Sequence, residues 1–297
     1  MRLILSRKGF DSQYGGVPSP IFPDGTMLSL PIPSAHDTQG LGEIRHDGVD
    51  VGTVAAHLTG NRINQETRVH LDPDICGPAL ERSPSWRPAF GQIAAAQSHL
   101  ANQRVGRGDL FLFFGWFRKV ERYGPRWRYV PGSPDFHAIF GWLQVEEILS
   151  VGNQTEDILD AYPWLHTHPH IVRATQYESP NNTIYLGSET LVLGGERTCI
   201  AGGGCFGKFS PLLRLTAEGR TRSVWCLPAW FSPEGKPSSL TYHGTPSRWS
   251  RQGGSVVLQT VAKGQEFVLD CAHYPESMEW LAALFAQSLF SDSREVT

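Results

Sequence analysis

The sequence predicts an α+β fold that is β-rich: a mixed or antiparallel sheet or barrel with a few packed helices. Three observations predict it. The 31 Gly and 21 Pro cut the chain into short segments, which favours strands and turns over long helices. Two aromatic segments, residues 110–117 and 138–145, each carry Phe-Gly-Trp followed by an apolar residue, the mark of two neighbouring antiparallel strands. Apolar residues at clear helical spacing are confined to two short stretches, 91–102 and 275–288.

In chain order, residues 3–5 read as a buried strand that runs into a polar, glycine-containing loop over 6–16. Turns at Pro18, Pro20 and Pro23-Asp24-Gly25 precede a second strand over 27–32. Residues 34–62 form a loop-rich excursion with a short helix at 50–58. In the helix at 91–102, Ile93, Ala94, Ala96, Gln97 and Leu100 face inward, with Gln92, His99 and Gln103 on the outer side. After the two aromatic strands come strands at 183–186, 212–216, 223–227, 255–260 and 266–269. In the closing helix Pro275 takes the first position, Glu276 and Glu279 suit the positive end of the dipole, and Met278, Leu281, Leu284 and Phe285 form one stripe. The whole of 1–297 reads as a single domain.

Composition excludes several classes. With 40% hydrophobic residues, nine Trp and 15 Phe, the chain has enough apolar material for a large core and is not disordered. No window approaches the roughly 18 apolar residues of a membrane span. The start carries too short an apolar run for a signal peptide, and five cysteines scattered at 76, 199, 205, 226 and 271 do not make a secreted disulfide framework. A cytoplasmic location is expected. A net charge of −3 argues against coating nucleic acid through bulk positive charge, so any basic patch must be local.

Four constellations bear on chemistry. The loop at 6–16 gathers Arg7, Lys8, Asp11, Ser12, Gly15 and Gly16, offering cations, a carboxylate and backbone N–H groups to a phosphate-bearing ligand, or else a solvated charged hairpin. Residues 202–210 contain Gly-x-Gly-x-x-Gly, but Pro211 breaks the helix a dinucleotide fold needs, and Phe209 stands where a phosphate loop needs Ser or Thr; a close-packed turn is the simpler reading. His166, His168 and His170 alternate as if on one face of a strand. No Cys-x-x-Cys accompanies them, so they read as hydrogen-bonded or exposed side chains, and no metal or cofactor is assigned. Finally, Arg118, Lys119, Arg122, Arg126 and Arg128 stand against the single acid Glu121 and are interleaved with Tyr123, Trp127 and Tyr129. Such a run suits a phosphate backbone with stacked bases, each worth ~1–3 kcal/mol, or a solvated hairpin tip. Hydrolase and kinase signatures are absent from the sequence.

Ser6-Arg7-Lys8-Gly9-Phe10-Asp11-Ser12, Gly15-Gly16, Pro18-Ser19-Pro20, Pro23-Asp24-Gly25, His70-Leu71-Asp72-Pro73-Asp74, Gly91-Gln92, 95–100 and 108–118 together resemble the nucleotide modification associated domain 3 family. The resemblance implies a protein that modifies nucleotides or DNA bases, with nucleotide or DNA as partner and protein partners from a bacterial or phage modification or defence system. Residues 105–150 also resemble the small PUA-like barrels that read modified bases. On this footing Arg7, Lys8, Asp11 and Ser12 are expected to engage a phosphorylated ligand, flanked by Gln92, Gln97 and His99. Asp72 or Asp74 is available as an acid or metal ligand. A catalyst would transfer a group to a base or nucleotide, with Asp11 or His99 as base and Lys8 steadying charge. The rival is a non-catalytic reader in which Trp116 and Trp142 hold an extruded base and Arg118, Lys119, Arg126 and Arg128 hold phosphates. A structural subunit of a modification or defence complex is the third reading.

Overall fold

A computed structural model describes residues 1–292 apart from 153, 178, 263 and 265. Its frame is a mixed sheet of nine strands among the described residues. The strands are β1 (Arg2–Arg7), β2 (Ser19–Ile21), β3 (Ala89–Gln92), β4 (Leu110–Tyr123), β5 (Arg126–Tyr129), β6 (Phe136–Ser150), β7 (Thr183–Gly187), β8 (Gly203–Cys205) and, after a separate three-stranded sheet formed by β9 (Val224–Pro228), β10 (Trp249–Gln252) and β11 (Ser255–Gln259), β12 (Glu266–Asp270). The path runs β12-β1-β4-β6-β7-β3, with β2 and β5 beside β4 and β8 beside β6. Parallel pairing is confined to β1 with β4 and β2 with β4 in this sheet. The path ends on β12 and β3 without backbone closure, so the α+β expectation holds as an open sheet and the barrel alternative does not.

β1 lies between two neighbours, Leu3 opposite both Leu110 and Leu269. Leu3, Ile4 and Leu5 are all fully buried, which explains an unbroken apolar run where a half-exposed strand would alternate. The two aromatic strands pair antiparallel as expected, from Phe117 with Phe136 to Leu110 with Gln144, with a register shift between Ile139 and Gly141. Residues 105–150 therefore supply the long central strands of this open sheet. Their inward rings join Phe90, Tyr185 and Phe267 in the main core.

Helices α1 (Val51–Thr59), α2 (Ala94–Asn102), α3 (Pro169–Val172) and α4 (Ser277–Asp292) pack around the sheet. No described helix is long and apolar enough to cross a membrane. Four expectations change. The strand at 27–32 is reduced to a bridge at Met27 and a short pair of Ile32–Pro33 with Val69–His70, because Pro31 and Pro33 have no N–H to give a ladder. The strand at 212–216 opens as a 3-10 turn, Pro211–Leu213. Gly91 and Gln92 end strand β3 instead of opening α2, being paired with β7. The alternating histidines do not share a strand: Pro163 and Pro169 start two successive helical turns, so His166 is exposed while His168 and His170 are buried.

Candidate active site

At the end of β1 the chain turns at Gly9, whose φ is +78° and where a Cβ would lie 2.6 Å from Ser29 Oγ. Lys8 points inward. Its Nζ lies 2.9 Å from Glu266 Oε1 and 4.4 Å from the centre of the Phe90 ring. The same Glu266 oxygen accepts a hydrogen bond from Gln92 Nε2 at 2.7 Å. Glu266 belongs to β12 and Gln92 to β3, the two ends of the sheet path. The sheet therefore curls until its edges meet through side chains rather than backbone. Glu266 is 1% exposed, so removing either charge alone leaves the other buried and uncompensated.

Beside this pair lies a cluster of histidines and carboxylates. Asp72 is fixed by the Gly91 N–H, which donates to its Oδ1 at 2.7 Å. Gly91 also makes room for a ring, since a Cβ there would lie 2.1 Å from His170 Cδ2. His170 Nδ1 lies 2.6 Å from Asn182 Oδ1, and Asn182 Nδ2 donates to the His170 carbonyl at 2.9 Å. The amide is thus oriented with its oxygen toward the ring, so Nδ1 carries the proton and Nε2 is bare. His70 Nδ1 lies 3.1 Å from Asp37 Oδ2, and Asp37 is also 3.6 Å from Arg173. The Nε2 atoms of His70 and His170 each lie 3.8 Å from Asp72 Oδ2. His168 caps α3 by accepting the His170 N–H at Nδ1, and its Nε2 is 3.7 Å from Asp72 Oδ1. One donor atom from each of His70, Asp72 and His170 falls within 4.8 Å of the others, a set able to hold a metal ion.

Burial sets the charges. It pushes the Asp72 carboxyl up to about 6, against the opposing pull of Lys8 and the Gly91 N–H. It pushes His170 down to about 3, with the Lys8 charge adding to the effect, and holds His168 well below the ordinary range. Both imidazoles are neutral at pH 7. Asp37 is also opposed by burial, yet hydrogen bonds from His70 and Ser34 and the Arg173 charge bring its carboxyl below the usual value.

Two clefts meet at Arg7 and Asp11, one of them lined by this cluster. The smaller, about 180 Å³, is lined by Arg7, Lys8, Asp11, His70, Asp72, Gln92, His170 and Tyr177 among others. The larger, about 410 Å³, is lined by Arg7, Asp11, Ser12, Trp116, His137 and Arg222 among others. Arg7 and Asp11 line both. Arg222 stacks 3.8 Å from the centre of the Trp116 ring and stands 3.7 Å from Asp135. Burial, and then the neighbouring Arg7 charge, lower its pKa, partly offset by Asp135 and Asp11. Among the described residues the Arg7 side chain has no hydrogen bond or ion pair.

Over residues 2–270 the chain matches the family described as nucleotide modification associated domain 3. It belongs to that family. No curated protein and no solved structure matches it. The matched span of this nucleotide modification associated domain holds every residue of both clefts, from Arg7 to Phe267.

Of the residues singled out in the sequence, the domain brings Arg7, Lys8, Asp11, Gln92 and Asp72 to one cleft and places Ser12 in the adjoining one. The Asp11 carboxylate is engaged locally, its Oδ1 accepting from the N–H groups of Gln13 and Tyr14. Gly15 and Gly16 shape that loop at positive φ. Asp74 turns away to Arg82 and Trp86. Gln97 accepts from the Tyr185 hydroxyl at 3.0 Å, and His99 faces Thr241 and Tyr242; neither lines either of these two clefts. Trp116 walls the larger cleft, whereas Trp142 is in the core with its indole N–H on the Ala201 carbonyl. None of Arg118, Lys119, Arg126 and Arg128 lines either cleft. His70, His170 and Glu266 were not picked out as one site. The spacings His70-x-Asp72 and His168-x-His170 carried the only sequence signal, and nothing in the sequence joined them.

Proposed function

We propose that the protein is an enzyme that modifies a nucleotide, free or within DNA, by group transfer to its base or sugar. The observation that carries this reading is the position of Arg7, at the junction of an aromatic, cationic cleft and a buried histidine–carboxylate cleft. Arg7 and Arg222 both line the larger cleft, and the Arg7 charge is one cause that lowers the Arg222 pKa; an anion between two guanidiniums is held by forked donors, which a phosphate accepts well. The larger cleft, about 410 Å³, matches the ~300–1,000 Å³ of small-molecule sites. At about 180 Å³ the smaller takes only part of a ligand. The phosphate belongs with Arg7 and Arg222, and the reacting part of the nucleotide with Lys8, Asp72 and the neutral imidazoles, where a low-dielectric pocket strengthens every charge interaction.

Incubating a panel of nucleotides and oligonucleotides with the protein, candidate group donors and divalent metals, followed by mass spectrometry, tests it. Arg7→Ala is expected to weaken nucleotide binding at least tenfold, and Asp72→Asn to abolish the mass change while binding persists. Binding by Arg7→Ala equal to wild type, with affinity lost instead in Lys119→Ala and Arg126→Ala and falling steeply with salt, would replace this reading with that of a reader acting through the hairpin.

A further inference from the structure

We propose that His70, Asp72 and His170 bind one divalent first-row transition-metal ion, presented to the smaller cleft. The proposal deepens the nucleotide reading of that cleft, and rests on it for what the ion's remaining coordination positions face.

The argument is one of lone pairs. The His170 Nδ1–H donates to Asn182 Oδ1 and the His70 Nδ1–H to Asp37 Oδ2, so both neutral rings offer a bare Nε2 to the same place. Asp72 contributes Oδ2 there, its Oδ1 being held by the Gly91 N–H. The two Nε2 atoms lie 3.8 Å from that oxygen, too far for a hydrogen bond and with no proton between acceptor atoms. Three acceptors turned toward one another repel unless a cation joins them. Around an ion with ligands at ~2.1 Å, adjacent donor atoms stand roughly 3.0–3.4 Å apart, so each imidazole nitrogen needs to close on Asp72 Oδ2 by about half an ångström, and the three atoms, within 4.8 Å of one another, draw together around the ion.

The surroundings are those of a built site. A ligating imidazole whose other nitrogen donates to a carboxylate or amide oxygen is held in tautomer and orientation, and here both are. Gly91 serves twice, tying Asp72 in place and leaving space for the His170 ring. His168, 4% exposed, turns an Nε2 with no hydrogen-bond partner among the described residues to within 3.7 Å of Asp72 Oδ1. Two imidazoles and one carboxylate suit iron, manganese, cobalt or zinc, whereas magnesium and calcium prefer all-oxygen sets. Three protein ligands leave positions open, and Lys8, Gln92 and Tyr177 line the cleft beside them.

The test uses the full chain stripped with chelator and titrated with Co²⁺ in the absence of nucleotide, followed by calorimetry and visible absorption. The expected result is one equivalent bound with a ligand-field spectrum. Binding should weaken at least about 100-fold in His170→Gln and in Asp72→Asn and stay unchanged in His166→Gln, an exposed histidine of the same segment. Near-UV circular dichroism identifies any variant that has lost its fold. No binding by wild type overturns the proposal, and so does wild-type affinity in both folded site variants. Arg7→Ala separates the two readings, since it should keep Co²⁺ while losing nucleotide. Nucleotide binding without Co²⁺ binding removes the metal alone.

Discussion

The hairpin of β4 and β5 and the cleft at the end of β1 both concentrate cations, but the two regions spend them differently. In the hairpin, Arg128 pairs with Glu121 across the strands at 2.8 Å and stacks on Tyr123, Arg122 covers Trp127, and Arg118 lies over Tyr129. Each partner lies within a dozen residues, and most of the charge is exposed. At the cleft, Lys8 meets Glu266 from 258 positions away in a 10%/1% exposed pair, and Asp72 meets His170. Local pairing among exposed groups makes a tidy surface, whereas long-range convergence of buried ionisable groups costs folding energy and is the stronger indication of chemistry.

The largest effect that separates the regions is expected at Lys8. Lys8→Met leaves Glu266 buried and uncompensated, so stability in urea should fall by about 3–5 kcal/mol. Arg128→Ala in the hairpin should change it by less than about 1 kcal/mol, since that pair is exposed and screened. Equal losses would erase the distinction.

Next comes Gly91. Gly91→Ala drives a Cβ to 2.1 Å from the His170 ring, and overpacking of this kind costs about 1–3 kcal/mol. Because the ring must move, nucleotide modification should be lost even where the variant folds. A crystal structure of the variant with His170 undisturbed would contradict this.

A smaller effect concerns pH. His137, in the wall of the larger cleft, is held down to about 3 by burial and then by the Arg222 and Arg7 charges. The unfolded chain takes up that proton near its ordinary 6.5, so the stabilisation from keeping the ring neutral is complete above about 6.5. It is lost progressively as pH falls from there toward 3. His137→Gln, which keeps an acceptor for the Trp225 N–H, should flatten the slope of unfolding free energy against pH between 6.5 and 4. An unchanged slope would mean the ring is protonated in the fold.

The smallest effect is expected where the sequence is most basic. Arg126→Ala and Lys119→Ala should leave free-nucleotide affinity within about twofold of wild type, because both charges are exposed, line neither cleft and are screened by salt.

Much of the frame was legible before the structure. The buried run at 3–5, the Phe-Gly-Trp pair and the closing helix follow from periodicity, and they are where local preference and tertiary packing agree. Part of the candidate site was legible too: Arg7, Lys8, Asp11, Gln92 and Asp72 share one cleft. The rest was hidden for physical reasons. Glu266 opens a strand whose middle is apolar and acquires its meaning only when the sheet curls to bring β12 to β3. His168 and His170 alternate as strand residues do, but the prolines before them set helical φ, and the turn that results points both rings inward. Trp116 and Trp142 occupy matching places in matching motifs, yet one walls a cleft and the other is buried behind β8, a difference made by residues more than fifty positions away. A charge run is visible in sequence, whereas burial of a charge is not.

The most direct test of the central claim is a crystal structure of the protein with a deoxynucleoside monophosphate bound. The account predicts the phosphate about 3 Å from the guanidiniums of Arg7 and Arg222, with the base or sugar directed toward Asp72 and His170. A phosphate seated on Lys119 and Arg126 of the hairpin, with both clefts free of nucleotide, would contradict it.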